Sequence, residues 1–145
     1  AKEYIDKYFV KYNGVREFMD NTKKFAKKTG HVSTLLGRKI HVANITHNNF
    51  QIRSAAERTA INAPIQGTAA DILKVAMINI KDWIDKEDAP IKMIMQVHDE
   101  LVFEVSKNFV DDANKMISEQ MIKCFTLDVP LVVDIGVGNN WDKAH

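Results

Sequence analysis

The sequence offers almost no sulfur chemistry. One residue in 145 is cysteine, Cys124, so no disulfide can form within the chain, and the composition fits a reducing compartment. The same scarcity excludes the common zinc frameworks, because one cysteine and five scattered histidines show no ligand spacing. No apolar run reaches bilayer length and no signal-peptide pattern opens the chain, which argues against a membrane partner. Repeats, low-complexity tracts and linkers are missing too, and the length suits one domain with one core. The chain lacks an initiator Met and opens inside what reads as a helix. We therefore expect its first residue to be a cut within something longer.

What is present is an uneven distribution of charge. The formal net charge is +1. Residues 21–60 nevertheless carry eight Lys and Arg against a single acid, Glu57. Residues 81–128 carry six Lys against eleven acids. Two solvated helix faces would look like this. So would a surface that meets a polyanion beside one that binds cations.

Periodicity divides the chain into elements. "AKEYIDKYFVKYNG" reads as a short helix with Tyr4, Ile5, Tyr8 and Phe9 on one face, stopped by Asn13 and Gly14. "VREFMDNTKKFAKKTG" reads as a second helix, Lys-rich in its last turn and ended by Gly30. "HVSTLLGRKIHV" is a hairpin with Gly37 in its turn. Asn48 or Asn49 caps a long Ala-rich helix, in which Pro64 predicts a kink or break near Ala63. Beyond that point Ile72, Leu73, Ala76, Met77, Ile80 and Ile84 form a core stripe. "IKMIMQV" alternates as a strand, with Ile91, Met93, Met95 and Val97 on one face. "LVFEV" is its neighbour, "NFVDDANKMISEQMIKCF" an amphipathic helix, and "VPLVVDIGVG" a final strand. Helices mixed with hairpin-joined strands make the class α+β.

Two features carry chemistry. In "QVHDELVFEV", His98, Asp99 and Glu100 fall at the bend between two strands. A polar hairpin tip explains them, since Asp suits turns. Adjacent carboxylates at a rigid strand end would also present hard oxygen donors to Mg²⁺, which typically takes one or two carboxylates together with waters and substrate phosphates. The second feature is a ridge. Arg58, Asn62 and Gln66 stand at i, i+4 and i+8 of the Ala-rich helix. Ala55, Ala56, Ala60 and Ala63 around them would let a bulky partner approach, although an ordinary exposed helix face has the same spacing.

These stretches carry a resemblance. "QVHDELVFEV" resembles motif C of the bacterial DNA polymerase I family (family A). "AERTAINAPIQGTAADILKVAM" resembles the long helix before that motif, and "GNNWDKAH" resembles the natural end of many bacterial members. The likeness runs from Ala1 to His145 without gaps. It implies the C-terminal part of a polymerase domain, with residues 1–60 on the fingers side and residues 61–145 mainly palm. It implies template-directed extension of a primer with two Mg²⁺ ions, in bacterial DNA replication and repair at the cytoplasmic nucleoid. The implied partners are primer–template DNA, deoxynucleoside triphosphates and the rest of the polymerase chain.

By the same resemblance Asp99 is a metal ligand and catalytic, with Glu100 its secondary acidic neighbour. His98 lies beside the primer terminus, Arg58, Asn62 and Gln66 touch primer–template, and Arg53 meets a template phosphate. The family's other metal-binding aspartate, in a D-Y-S-x-I-E stretch, is not in this sequence, nor is the helix that grips the triphosphate. The fragment alone is therefore expected to be inactive. At His41 and at Ala43 and Asn44 the sequence departs from the aromatic residue and the Pro-Asp pair common in the family. A non-catalytic nucleic-acid-binding module on the same scaffold is the alternative. An unrelated metal-dependent hydrolase would need His and Asp clusters that the sequence lacks.

Overall fold

The computed structural model describes residues 2–144. Its contacts divide the chain into two units, Ala1–Thr68 and Ala69–His145. Helices are combined with two small antiparallel sheets, the expected α+β class.

The first unit opens with helices α1, Lys2–Lys11, and α2, Asn13–Thr29. The expected stop at Asn13 and Gly14 is not there, because both lie in the first turn of α2. Tyr12, at φ −117° and ψ 60°, separates the helices instead. Its N–H closes α1 on the Tyr8 carbonyl (2.8 Å), and its own carbonyl accepts from Val15 N (3.1 Å) to open α2. A first turn leaves its N–H groups without helical partners anyway, so Asn and Gly cost little there. Helix α2 ends as expected. Gly30 takes φ +73° and donates to the Ala26 carbonyl at 2.8 Å, satisfying one of the last carbonyls.

Strands β1, His31–Ser33, and β2, Lys39–His41, form the expected hairpin, with Val32 opposite Ile40. Gly37 supplies the left-handed residue of the turn at φ +85°. Thr34 closes that turn three times, its carbonyl accepting from Gly37 N at 3.0 Å. Its N–H donates to the Arg38 carbonyl (3.0 Å), and its hydroxyl accepts from Arg38 N (3.1 Å).

Helix α3 spans Phe50–Glu87. Of the two candidate caps Asn49 performs the role, its Oδ1 accepting from Gln51 N at 2.8 Å and Ile52 N at 3.4 Å. Of the kink or break expected near Ala63, the break does not occur. The helix runs for 38 residues with Pro64 inside it. Proline withholds one N–H, from the Ala60 carbonyl, while the neighbouring turn is held from outside. Thr68 Oγ1 donates to the Pro64 carbonyl (2.6 Å) and accepts from Leu35 N (3.0 Å), and Arg38 Nη2 donates to the Gly67 carbonyl (3.1 Å). The core of this unit is Ala26, Val32, Val42, Ile45, Ala56 and Ala60, with Ile40 and Ala63 packed against it.

In the second unit, β3, Ile91–Val97, pairs antiparallel with β4, Glu100–Val105. The expected alternation fails midway along β3. Met93 faces Phe103, but Met95 faces Val102 and Gln96 faces Leu101. Ile94 is thus the extra residue of a β-bulge, which advances one strand by a residue against the other. Ile91 and Met93 keep the core face with Leu101, Phe103 and Val105, while Met95 leaves it and is exposed. After a turn of 3₁₀ helix at Lys107–Phe109, helix α4, Val110–Lys123, closes this core through Ala113 and Ile117 against Ile80 and Ile91. Ala76 and Ile80 of the expected α3 stripe are buried. A short helix α5, Trp141–Ala144, follows.

The final strand expected at residues 129–138 is absent, and the segment is irregular. Val129, Val132, Ile135 and Val137 are all exposed. A strand exists only against a hydrogen-bonding neighbour, and among the described residues the second sheet has two strands, β3 and β4.

Candidate functional site

The β3–β4 hairpin turns in two residues, His98 and Asp99, between the paired Val97 and Glu100. His98 takes φ +51°, a conformation that costs a non-glycine residue about 1 kcal/mol or more and concentrates at functional turns. Gln96 Nε2 donates to the His98 carbonyl at 2.6 Å and fixes the turn from within. His98 and Asp99 are exposed, whereas Glu100 is half-buried on the ladder. The Asp99 carboxylate therefore stands at the tip of a short, pinned hairpin.

The ridge also forms as expected. Arg58, Asn62 and Gln66 are exposed and line one shallow recess of about 400 Å³, together with Ala55, Thr59 and Ala63. Arg58 Nη1 donates to Ser54 Oγ at 3.1 Å, one turn back on the same helix. The surrounding alanines divide into two groups. Ala55 and Ala63 line the recess, but Ala56 and Ala60 face the core. Only half of the small residues thus leave room for a partner.

Arg53 has local work. Its Nη1 donates to the carbonyls of His47 (2.8 Å) and Asn48 (3.2 Å), and its guanidinium lies 5.8 Å from the Phe50 ring centre. In the basic stretch, Lys27 Nζ reaches Glu57 Oε1 at 2.6 Å and ties α2 to α3. The Lys27 ammonium, bonded to Glu57, holds that carboxyl below the usual carboxylate range. The one acid of residues 21–60 is therefore already paired, and Lys23 pairs with Asp20 at 2.8 Å, which leaves Lys24 and Lys28 to give α2 its positive field.

Metal-binding capacity can be judged from the donors. Among the described residues no group of three or more His, Cys, Asp or Glu could hold an ion. Asp99 and Glu100 do offer the hard carboxylate oxygens that Mg²⁺ prefers. The donor type fits, and the donor number amounts to part of a site.

Sequence reasoning passes over Thr59, Gly67 and Thr68. A signal existed for Gly67. Glycine inside a helix costs about 1 kcal/mol relative to Ala, so it often marks a close approach. A Cβ at Gly67 would lie 2.7 Å from Ile40 Cδ1 and 2.7 Å from Thr34 Cγ2. The hairpin β1–β2 is seated directly on this turn of α3.

Comparisons with known proteins bear on the whole chain. The family model of DNA polymerase family A matches residues 1–143. DNA polymerase I of Pseudomonas aeruginosa is 49% identical over 145 residues, all of this chain and 16% of that protein. DNA polymerase I of Geobacillus stearothermophilus is 44% identical over 144 residues, again 16% of its length. A solved structure, the polymerase domain of Pol1 from M. smegmatis in complex with DNA primer–template and dNTP, superposes with a TM-score of 0.93 at 43% identity. That likeness covers 99% of this chain and 25% of the solved one. The chain spans about one-sixth of the length of the curated relatives it matches, and it belongs to DNA polymerase family A.

Proposed function

We propose that this chain is the C-terminal part of a DNA-directed DNA polymerase, and that it supplies half of the metal-binding carboxylates and the primer-side contacts of the active site. Residues 1–60 serve the fingers side and residues 61–145 mainly the palm, an assignment supported by the division of contacts near Thr68. The observation that carries the reading is the β3–β4 turn, where Asp99 is exposed on a pinned two-residue bend beside the left-handed His98.

The reaction joins the primer 3′-oxygen to the α-phosphorus of a deoxynucleoside triphosphate and releases pyrophosphate. Asp99, with Glu100 in a secondary role, would hold Mg²⁺ jointly with an aspartate outside this chain. When bound, the ions supply activation of the primer hydroxyl and neutralise triphosphate charge. The chain's own contribution is positioning. The short hairpin fixes the Asp99 carboxylate, and His98 stands beside the primer end. Arg58, Asn62 and Gln66 face the primer–template minor groove. There purine N3 and pyrimidine O2 accept hydrogen bonds in every correct pair, so donors can hold each pair without sequence bias. Arg53 shapes the loop before α3 and lies within the basic stretch that meets template phosphates. The working place is the cytoplasm, at the nucleoid.

The test is Asp99→Ala in the full-length protein. Turnover should fall by orders of magnitude, while affinity for primer–template stays within a few-fold. Equal loss of both refutes the ligand role. The 145-residue chain alone should show no template-directed incorporation, because one aspartate cannot organise two ions. Incorporation by that chain would refute the division of the site.

A further inference from the structure

We infer that the hairpin β1–β2 is a brace for the Pro64 turn of α3, and that Thr68 and Arg38 are positioning residues for Gln66 and Asn62. The inference rests on the polymerase reading above. Pro64 stands between Asn62 and Gln66, where it removes the backbone bond that would tie this turn to Ala60. A helix left that way tends to bend or open, and a bend there would swing Gln66 away from Arg58, two turns earlier. The hairpin does not refill the bond lost at Ala60; it holds the turn that follows Pro64. Arg38 Nη2 bonds the carbonyl of Gly67, the residue after Gln66, at 3.1 Å. Leu35 N donates to Thr68 Oγ1 at 3.0 Å, and that hydroxyl donates onward to the Pro64 carbonyl at 2.6 Å. Thr68 and Thr34 are both buried, and Gly67 lets the hairpin side chains come down onto the helix. Hydroxyl, guanidinium and glycine act together to keep the donors of the ridge in one line. Thr68 reaches the primer–template only through Gln66 and Asn62.

The test uses the full-length polymerase and steady-state primer extension. Thr68→Val keeps the shape and removes the hydroxyl. It should slow extension of matched ends about fivefold at saturating DNA, the factor set by roughly one net hydrogen bond. The KM for primer–template should move less than about twofold, because the phosphate contacts are intact. Discrimination against mismatched ends should fall, and Thr68→Ser should restore both rate and discrimination. In a Gln66→Ala background, Thr68→Val should cause a smaller further loss than in the parent, since it acts in part through that side chain. Arg38→Lys, which keeps the charge and leaves the buried threonines in place, should repeat the pattern with an unchanged salt dependence of DNA binding. A parental rate for Thr68→Val, or full additivity with Gln66→Ala, overturns the brace. If Thr68→Val does not fold, normal extension by Arg38→Lys overturns it instead. Gln66→Ala with normal extension and normal discrimination refutes the primer–template reading beneath the proposal. A slow Gln66→Ala beside a normal Thr68→Val preserves that reading and refutes the brace alone.

Discussion

The same substitution should have opposite effects at two glycines. Gly14 lies in the first turn of α2, and a Cβ built there meets nothing within 4 Å. Gly14→Ala therefore loses unfolded-state freedom at no packing cost, a stabilisation of about 0.5 kcal/mol. Gly67 lies in α3 with Ile40 Cδ1 and Thr34 Cγ2 each 2.7 Å from the new Cβ and Arg38 Nη2 at 3.2 Å. Ordinary carbon contacts are about 3.5–4.0 Å, so the hairpin must retreat by close to 1 Å. Ile40 can rotate its end away, but buried Thr34 has no flexible end to move. Overpacking of this kind costs about 1–3 kcal/mol. Stretching the Arg38 and Leu35 bonds removes about 1 kcal/mol more for each bond lost. Against a propensity gain of about 1 kcal/mol, the net effect is a loss of about 1–3 kcal/mol. Urea unfolding followed by helical circular dichroism reads both. With a slope of about 2 kcal/mol/M, Gly67→Ala should lower the midpoint by about 0.5–1.5 M and Gly14→Ala should raise it by about 0.3 M. Two shifts of the same sign, or a Gly67→Ala as stable as its parent, would refute the seating of the hairpin on α3.

Three other perturbations follow from the structure. The Glu57 carboxyl is held low by Lys27, so its contribution is complete above the unfolded value of about 4.3 and is lost as pH falls through the lower folded value. Acid titration of stability should show that loss, about 0.5 kcal/mol for a partly exposed pair, and Glu57→Gln should remove it; an identical acid profile for Glu57→Gln would count against the pairing. Asn49→Ala deletes the α3 cap and should cost about 1 kcal/mol, with faster amide exchange at Gln51; unchanged exchange would exclude the cap. His98→Gly relieves the left-handed residue and should raise stability by up to about 1 kcal/mol. In the full-length protein it should also slow extension, and a gain in both would refute a role for the imidazole at the primer end.

Signals that lie within one turn or one loop were legible in the sequence. Gly30 ends α2, Gly37 turns the hairpin, Asn49 of the Asn48–Asn49 pair caps α3, and His98 and Asp99 fall between two strands as read, with Glu100 already on the ladder of β4. The ridge of Arg58, Asn62 and Gln66 needed only the helical period. The misreadings came where distant contacts decide. Pro64 has a local cost that predicts a kink or break; the helix is unbroken, and residues about thirty positions earlier in the chain hold the turn that follows. Asn13 and Gly14 look like a stop, yet one turn of tolerance at a helix start absorbs them. Val129, Val132, Ile135 and Val137 have a strand's composition, but composition cannot supply the neighbour a strand requires. Which alanines face the recess and which the core depended on where α2 and the hairpin pack.

The bulge at Ile94 has a consequence for how substitutions would be tolerated along β3. In an unbroken strand the sensitive positions keep one parity from end to end. Here the parity slips by one residue, so apolar demand at Ile91 and Met93 gives way to Gln96, the residue opposite Leu101. A saturation scan should therefore show a phase change at residue 94. The segment that carries the turn is offset by one residue from the segment that builds the core, and deleting Ile94 would remove that offset while leaving every cross-strand pair in register.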